Sequence, residues 1–339
     1  MNRLVIGIVV WNNADDAIRC AESLLHQLDK KFTILFVNNS STDESVEGTL
    51  QDYINNKSTK QLVYIETNSN RGTAGGFNAI LSWAREHEYT YAGTLNADAT
   101  AKTDWVLALI EELEKFNCVI ATGQLIHMST NTVDTTGELY TVWGLPGPRL
   151  RDELTSKAPQ KAGEVFGATG GGFIAKTSLF DDIGLFDEAF FMYYEDVDMS
   201  FRAQLAGHKI RYTPKAIAYH KRGASSDTVP GLATYNTFKN LPLLFWKNVP
   251  LGLFPTIAPR FFVAYHLILG NAIVRGKGIP ALKGWAISLI LLPRSLVLRQ
   301  KIQSSKKVST SYIKSIILHD IPPDQTGLRK FRKFFTGKA

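Results

Sequence analysis

The feature that most constrains the fold is an alternation of short apolar runs and amphipathic segments over the first 125 residues. The runs are rich in Val, Ile and Leu, and the segments between them have helical periodicity. Strands and helices that alternate in this way form βαβ units, which build a mainly parallel sheet with flanking helices. We predict strands over Leu4–Val10, Phe32–Val37, Leu62–Ile65, Tyr91–Leu95 and Val119–Thr122, and helices over Ala14–Leu28, Asp43–Asn55, Gly75–Glu86 and Asp104–Phe116.

Beyond these elements the pattern weakens before it resumes. Residues 127–165 combine Thr, Pro, Gly and mixed charges with little periodicity, which indicates a variable loop region. A glycine-dense turn at 167–172 then enters another strand, and two short strands are predicted over Lys209–Thr213 and Ala216–His220. These elements extend the α/β fold to about residue 229.

Charge divides the chain into two regions. Residues 1–229 hold 21 Lys and Arg against 29 Asp and Glu, a net charge of −8, whereas residues 230–339 hold 17 against 2, a net charge of +15. We therefore predict a domain over 1–229 and a basic, mainly helical region over 230–339. Cys20 and Cys118 lack metal-type spacing, and no secretory signal precedes the first apolar run, so we expect the cytoplasm.

The basic region combines its cations with Trp, Phe and other apolar residues. Its longest apolar runs, Phe261–Val274 and Trp285–Leu298, are flanked or interrupted by Pro, Lys and Arg. Neither run reaches the ~20 apolar residues that a membrane-spanning helix needs, so we predict that this region contains no such helix. Amphipathic helices of this composition favour an anionic membrane surface over nucleic acid. The alternative is that they pack on the first domain and carry a solvated basic face.

The first and second predicted strands both end in residues that can form hydrogen bonds. The first ends at Val10, Trp11 and Asn12, and the second ends at Asn38, Asn39 and Ser40. The carboxyl ends of parallel strands form the edge at which such sheets bind ligands, so these side chains could contact a nucleobase and ribose. The alternative is a plain turn with a helix cap.

Three further clusters are candidates for diphosphate and metal binding. Asn70, Arg71, Gly72, Gly75 and Asn78 form a glycine-rich loop that opens a helix, where backbone N–H groups favour anions, but the spacing fits neither a P-loop nor a dinucleotide motif. Asp98 follows the fourth strand, where a hard carboxylate suits Mg²⁺ or Mn²⁺. His220 ends the last strand and could bind metal or phosphate. Each could equally be structural.

An acidic cluster, Glu195-Asp196-Val197-Asp198, follows an aromatic run that includes Phe191, Tyr193 and Tyr194. A carboxylate beside aromatic faces is typical of sugar sites, because it can deprotonate a hydroxyl while the rings contact C–H surfaces. The alternative is an acidic first helical turn that complements the macrodipole. We assign Val197, Phe201 and Leu205 to a core stripe, and Asp198 and Arg202 to an i, i+4 pair.

In this order the motifs resemble glycosyltransferase family 2, which has the GT-A fold. The resemblance covers residues 3–226 and rests on the set: Val-Val-Trp-Asn, Asn-Asn-Ser-Ser-Thr-Asp, Asn-x-Gly-x-x-Gly-Gly-x-Asn, Leu-Asn-Ala-Asp, Gly-Gly-Gly-Phe-Ile and Phe-Phe-x-Tyr-x-Glu-Asp-Val-Asp-x-x-x-Arg. It implies an inverting transfer of a sugar from a nucleotide-diphosphate donor to a hydroxyl group, without a covalent enzyme intermediate.

The resemblance also implies roles by position. Asp196 corresponds to the general base, with Glu195 beside it, and Asp98 and His220 correspond to the metal site. The implied donor-binding residues are Val10, Trp11, Asn38, Asn39, Ser40, Asn70, Arg71, Gly72, Gly75, Asn78, Asn96 and Asp98, and the implied acceptor-binding residues are Gly171, Gly172, Phe191, Tyr193 and Tyr194.

Two departures from the family pattern guide the choice of donor and cofactor. Many relatives have Asp in place of Asn38, and the metal-binding Asp-x-Asp is reduced to Asn96-Ala97-Asp98, so the requirement for Mn²⁺ or Mg²⁺ is open. This form resembles bacterial rhamnosyl- and galactofuranosyl-type transferases of the cell envelope. It implies dTDP-rhamnose first, or UDP-galactofuranose or another UDP-hexose, and a lipid-linked glycan acceptor at the inner face of the plasma membrane.

Two alternatives compete with this interpretation. A sugar-1-phosphate nucleotidyltransferase would need a glycine-rich, cationic loop directly after the first strand, where Trp11-Asn12-Asn13 stands. A catalytically weak glycan-binding or scaffold protein on the same fold is supported by the reduced Asp-x-Asp, but the intact Glu195 and Asp196 pair argues against it.

Overall fold

A computed structural model describes residues 3–28, 31–57, 59–223 and 229–321, together with residues 328 and 332. The strands are β1 (Leu4–Val10), β2 (Phe32–Asn38), β3 (Leu62–Glu66), β4 (Tyr91–Leu95), β5 (Ala99–Ala101), β6 (Ile120–His127), β7 (Val133–Thr135), β8 (Glu138–Tyr140), β9 (Pro146–Pro148), β10 (Gly163–Glu164), β11 (Gly172–Lys176) and β12 (Ile210–His220). The helices are α1 (Ala14–Leu25), α2 (Ser45–Lys57), α3 (Gly72–Glu86), α4 (Trp105–Lys115), α5 (Leu179–Ile183), α6 (Glu195–Leu205), α7 (Leu232–Asn248), α8 (Phe254–Val274), α9 (Gly278–Ile290), α10 (Leu292–Ser304) and α11 (Thr310–Ile316).

The described strands build one large sheet in the order β10-β12-β6-β11-β4-β1-β2-β3, and β5 and β7 pair with β12 and β6. Strands β12, β6, β4, β1, β2 and β3 run in one direction, because β11 is antiparallel to both β4 and β6. The predicted fold class, an α/β protein with a mainly parallel sheet and a helical C-terminal region, is confirmed.

Two expectations about the second half of the first region are wrong. The stretch 127–165 contains β7, β8, β9 and β10, too short to show periodicity in the sequence. The two strands predicted over 209–220 are one strand, β12, whose register against β6 shifts between Tyr212 and Ile217. Pro214 lies at the shift, and because proline has no N–H it cannot donate to the ladder. It interrupts pairing without ending the strand.

The sheet is buried on both faces, as the continuous apolar runs predict. Ile6 and Ile8 of β1 lie in a core with α1 and α4, whereas Val5 lies in a core with α3. A third core joins α6 to the C-terminal helices, and it includes Val197, Phe201 and Leu205. The predicted core stripe is confirmed, and α6 is fixed between the sheet and the C-terminal helices.

A proline inside α7 creates the contact that attaches α8. Pro242 cannot donate a hydrogen bond, so the carbonyl group of Phe238, four residues earlier, has no partner within the helix. The hydroxyl group of Tyr265 on α8 donates to that carbonyl oxygen at 2.9 Å. Phe245 and Phe261 stack with ring centroids 4.5 Å apart nearby.

The prediction that no helix of the basic region is long and apolar enough to span a membrane is wrong. Residues Leu251–Val274 form a helical segment of 24 residues that contains an 18-residue window with a mean hydropathy of 1.4, so it is long and apolar enough to cross a membrane. Helices α9 and α10 reach this length and hydropathy only as a pair, which is bent by 56°. Pro255 lies in the first turn of α8, where its missing N–H group costs little, and Pro259 is accommodated inside the helix. Length and composition alone are weak support for a membrane span, because the core helix of a soluble protein can have the same length and composition.

We predict that Tyr265→Phe lowers the free energy of unfolding by about 1–3 kcal/mol, because the buried Phe238 carbonyl group loses its donor. The matched control is Tyr140→Phe: the Tyr140 hydroxyl group is buried without a hydrogen-bond partner among the described residues, so its removal should be neutral or stabilising. Urea unfolding of both variants measures the difference. Equal effects would contradict the role of the Tyr265 hydrogen bond.

Candidate functional site

The edge predicted to bind a nucleotide is formed by β1 and β2, whose parallel register reaches Val10 and Asn38. The side chain of Asn12 braces the turn after β2 by accepting hydrogen bonds from the Thr42 and Asp43 N–H groups at 2.8 and 3.0 Å. The indole N–H of Trp11 is buried and has no partner within the described part of the chain. A ligand at this edge could accept its hydrogen bond.

Asn38 and Asn39 have different surroundings at the end of β2. The amide group of Asn38 donates to the Tyr64 hydroxyl group and to the Glu66 carboxylate, both at 3.1 Å. That of Asn39 donates to Asn70 at 3.2 Å and to the Gly72 carbonyl group at 3.0 Å. Asn38 therefore lies beside an exposed carboxylate, while Asn39 ties the strand end to the glycine-rich loop. Ser40 follows with φ of 55°.

The glycine-rich loop contacts the segment that precedes α6. Gly72 has φ of 68°, and a Cβ atom there would lie 2.1 Å from the carbonyl oxygen of Phe191, so only glycine fits. Arg71 forms an ion pair with Glu188 at 3.0 Å, and the amide group of Asn78 donates to the same carboxylate at 2.9 Å. Asn70 accepts from the Gly72 N–H, and Gly75 is buried in the first turns of α3.

Asp98 and His220 come together as predicted. Nε2 of His220 lies 3.1 Å from Oδ1 of Asp98 and 3.2 Å from the side-chain nitrogen of Asn96. Nδ1 of His220 lies 2.7 Å from Oδ2 of Asp134, a buried residue on β7. Burial disfavours the imidazolium ion, but the hydrogen bonds with Asp134 and Asp98 outweigh it and raise the pKa of His220 to about 9.

The donor set at this pair suits a divalent cation that also binds phosphate. Asp134 holds Nδ1 of His220, so that Nε2 faces Asp98, as an outer partner of a metal-bound histidine does. In the described residues no group of three or more His, Cys, Asp or Glu side chains could hold a metal ion. Asp98 and His220 fit a cation that takes its remaining ligands from diphosphate and water.

Asp196 lies in the first turn of α6, and its carboxylate contacts the turn that precedes β11. Its Oδ2 accepts a hydrogen bond from the Gly170 N–H at 2.7 Å, and its Oδ1 accepts from the Val197 N–H at 2.8 Å. The neighbouring Gly171 accepts from the Asn96 N–H at 3.0 Å, so hydrogen bonds of two adjacent residues, Gly170 and Gly171, connect the two sites. Burial raises the pKa of Asp196, although the two N–H groups oppose the shift.

Glu195 differs from Asp196 in its surroundings. It is buried, and its Oε2 has no hydrogen-bond partner among the residues that the structure describes. Burial and the adjacent Asp196 raise the pKa of Glu195 well above its ordinary value. Two adjacent carboxyl groups do not both ionise readily: the N–H donors favour the charged form of Asp196, whereas burial without a donor favours the neutral form of Glu195.

The predicted acceptor residues lie in the segment before α6 and in the turn before β11. Phe191, Tyr193 and Tyr194 are partly exposed, and all three have positive φ, of 63°, 68° and 69°. Such strain costs about 1–3 kcal/mol per residue in non-glycine residues and clusters at functional sites. Gly171 and Gly172 are buried at the start of β11, where a Cβ atom on Gly171 would meet Leu125.

A buried ionic network connects α6 to α7. Lys247 of α7 lies 2.7 Å from Asp187 and 2.7 Å from Asp198. Asp198 also forms the predicted pair with Arg202, at 2.9 Å, and accepts from the Asn248 amide group at 2.7 Å. The i, i+4 interpretation is confirmed but incomplete, because a cation from the basic region shares the carboxylate.

Sequence reasoning missed Asp134 and Lys247. Asp134 lies in the stretch interpreted as a loop, and only the pairing of β7 with β6 brings it to His220. Lys247 is one of many basic residues, although it directly follows the apolar run Leu243-Leu244-Phe245-Trp246, which is a signal that it could be buried. The sequence offered no other indication of either contact.

Comparisons with known proteins agree with the geometry. The profile of Glycosyl transferase family 2 matches residues 5–184. An N-acetylglucosaminyl-diphospho-decaprenol L-rhamnosyltransferase of Mycobacterium tuberculosis is 25% identical over 309 residues, which cover 81% of this chain and 95% of that protein. A poly-beta-1,6-N-acetyl-D-glucosamine synthase of Staphylococcus aureus is 24% identical over 217 residues, 62% of this chain and 48% of the relative.

A solved structure matches the fold. The crystal structure of GalNAc-T7 with UDP, GalNAc and Mn²⁺ superposes with a TM-score of 0.56 at 16% sequence identity, covering 72% of this chain and 47% of that one. At this identity the match bears on the fold alone. The predicted GT-A fold is confirmed.

We predict that Lys247→Met lowers the free energy of unfolding by about 3–5 kcal/mol, because two buried carboxylates lose their shared cation. The control Lys157→Met removes an exposed pair with Glu153 and should cost below about 1 kcal/mol. Chemical unfolding at neutral pH measures both variants. A loss in Lys247→Met no larger than in the control would contradict a structural role for the network.

We also expect the difference in unfolding free energy between wild type and Lys247→Met to depend on pH. Burial opposes ionisation of Asp187, but Lys247 and Arg294 outweigh it and hold the pKa of its carboxyl group far below the ordinary value. A lowered folded-state pKa stabilises the protein above the unfolded pKa and loses this effect as pH falls. The difference between wild type and Lys247→Met should therefore shrink below about pH 4.

Proposed function

Because the chain belongs to glycosyl transferase family 2, we propose that this glycosyltransferase moves a sugar, with inversion, from a nucleotide-diphosphate donor to a hydroxyl group of a lipid-linked glycan. The observation that carries the proposal is Asp196. Its carboxylate accepts a hydrogen bond from the Gly170 N–H, the next residue Gly171 accepts from the Asn96 N–H, and the aromatic segment directly precedes α6 in the chain. A fixed carboxylate with a raised pKa suits a general base.

The proposed reaction is a single displacement. The acceptor hydroxyl oxygen bonds to the anomeric carbon as the bond from that carbon to the diphosphate oxygen breaks, and the hydroxyl proton passes to Asp196. Glu195 keeps its own proton and therefore leaves Asp196 as the charged member of the pair. Phe191, Tyr193 and Tyr194 offer apolar faces for the acceptor sugar.

Asp98 and His220 are the proposed metal ligands. A bound Mn²⁺ or Mg²⁺ would neutralise charge on the departing diphosphate. Asp134 orients the imidazole ring so that Nε2 faces the ligand side. The single carboxylate suits a cation that takes its other ligands from the donor.

The donor that we favour is dTDP-rhamnose, with UDP-galactofuranose or another UDP-hexose as the second choice. The L-rhamnosyltransferase relative supports the rhamnosyl donor and a lipid-diphosphate acceptor. Trp11, whose buried indole N–H lacks a protein partner in the described residues, and Asn38 are the proposed nucleotide contacts. The family match favours glycosyl transfer over a nucleotidyltransferase or a glycan-binding scaffold.

The C-terminal helices are the proposed contact with an anionic bilayer at the inner face of the plasma membrane. Residues 251–304 contain seven Lys and Arg and no Asp or Glu. Large apolar side chains on α8 and α9 are exposed, among them Val263, Leu267, Val274, Ile279, Trp285 and Ile290. An apolar face among cations complements the interface of an anionic membrane.

The packing of α8 favours a helix that lies along the surface over one that spans the bilayer. Its buried residues Ile257, Phe261, Ala264, Tyr265, Ile268 and Ala272 recur at helical spacing along almost the whole helix. One side of α8 is therefore occupied by protein throughout, and only the opposite side can meet lipid. This placement would bring a lipid-linked acceptor close to α6, because α7 packs on both α6 and α9.

We predict that Asp196→Asn reduces sugar transfer about 10²- to 10⁴-fold, the contribution of a general base, while donor binding stays intact. Thermal shift with dTDP, UDP and their sugars, with and without Mn²⁺, measures binding and tests the cation, because ligands of the folded state raise the melting temperature. The control is Asp181→Asn, which removes an exposed pair with Arg85. Wild-type turnover in Asp196→Asn would disprove the assignment.

We predict that Ile290→Glu weakens binding to vesicles with anionic lipid at least roughly tenfold, because an apolar side chain worth about 1.5–3 kcal/mol is replaced by a charge. Leu28→Glu is the matched control: Leu28 is 67% exposed and Ile290 71%, but Leu28 follows α1. Vesicle co-sedimentation of the full chain measures both. Equal binding by the two variants would contradict the proposal that this face of α9 contacts the membrane. Resistance of the bound protein to alkaline washing would indicate a membrane-spanning helix.

A further inference from the structure

The segment that precedes α6, residues 190–194, has a conformation that local sequence does not favour. Phe191, Tyr193 and Tyr194 all have positive φ, at 63°, 68° and 69°, and none of them is glycine. Residues in this conformation persist only where the surrounding structure holds them. Because Tyr194 is followed directly by Glu195 and Asp196, whatever holds this segment also sets the position of the first turn of α6.

One side chain of the C-terminal region donates three hydrogen bonds to this segment. The amide nitrogen of Asn240, on α7, donates to the backbone carbonyl oxygens of Phe190, Met192 and Tyr193, at 2.9, 2.9 and 2.8 Å. Asn240 is fully buried. Two hydrogens shared among three carbonyl groups fix the curvature of the segment, because each carbonyl group must point at the same nitrogen.

Further contacts hold the segment from both sides. The ammonium group of the adjacent Lys239 donates to the Phe190 carbonyl oxygen at 3.1 Å. On the opposite side, the N–H of Ala74 in α3 donates to the Phe191 carbonyl oxygen at 3.1 Å. The segment therefore lies between α3, which opens from the glycine-rich loop, and α7.

We propose that Asn240 is a positioning residue for sugar transfer: it holds residues 190–194 in their strained conformation and thereby places the Asp196 carboxylate and the aromatic acceptor wall against the donor. The inference rests on the proposed function, in which Asp196 is the base. It assigns a part of the site to the basic C-terminal region.

A purely structural role makes a different prediction. If Asn240 only stabilised the fold, its loss would lower the melting temperature and leave the turnover of the folded enzyme intact. If it positions the base, turnover falls while donor affinity does not, because the strand ends proposed to bind the nucleotide do not touch Asn240. A displacement of about 1 Å can reduce a rate roughly 10²-fold.

The test compares Asn240→Asp and Asn240→Ala with Asn236→Ala. Asp has the size of Asn, but its carboxylate cannot donate to the three carbonyl groups. Ala removes the donors without adding charge. If the Asp variant does not fold, the Ala variant provides the test. Asn236 is a matched control, because it is buried one turn earlier in α7 and its amide nitrogen donates to Leu232 of the same helix. The readouts are kcat for sugar transfer, the donor Kd and the melting temperature.

We expect kcat to fall roughly 10²-fold in the Asn240 variants at an unchanged donor Kd, with Asn236→Ala close to wild type in kcat. Asn240→Ala should cause a smaller loss in an Asp196→Asn background than in the wild type, because one of the two groups that it positions, the base, is gone. A normal kcat in Asn240→Ala, or an equal loss in the Asp196→Asn background, overturns the inference alone. Wild-type kcat in Asp196→Asn overturns the proposed function, and this inference with it.

Discussion

The structure depends on Lys247, a buried cation of α7 that bridges Asp187 and Asp198. Asp187 begins the turn before the aromatic segment, and Asp198 lies in the first turns of α6, so a single ammonium group fixes both ends of the stretch that contains Asp196. A buried charge is tolerated only where partners satisfy it, and here two carboxylates and the face of Phe190 do so. The acidic and basic regions of the chain therefore form one packed structure at the candidate site.

The candidate site consists of rigid strand ends on one side and a strained segment on the other. Asn96 and Gly171 join β4 and β11 through a backbone hydrogen bond, which sets the spacing between the Asp98 pair and Asp196. The segment 190–194 is instead held by side chains, above all Asn240. In the proposed reaction, the rigid strand ends would align the donor for displacement, and the separately held segment would contact the acceptor sugar.

Local patterns predicted well what depends on neighbours in the sequence. β1 and β4 have the predicted bounds, and the Asp198 and Arg202 pair follows from helical spacing. The prediction failed where a contact joins distant segments. Asp134 reaches His220 only because a short strand pairs with β6, and no periodicity marks a strand of three residues. The long apolar helix α8 was missed because Pro255 near its start and Pro259 inside it resemble helix breaks.

The sequence by itself determined the alternation of strands and helices, the polar residues at the strand ends and the family, because these follow from side-chain period and local motif. Only the tertiary structure decided which carboxylates share a cation, how Asp134 orients His220, and that α7 holds the segment before Asp196. Burial is the physical reason. A charge or amide group becomes a structural partner only when water is excluded, and that depends on packing between residues far apart in the chain.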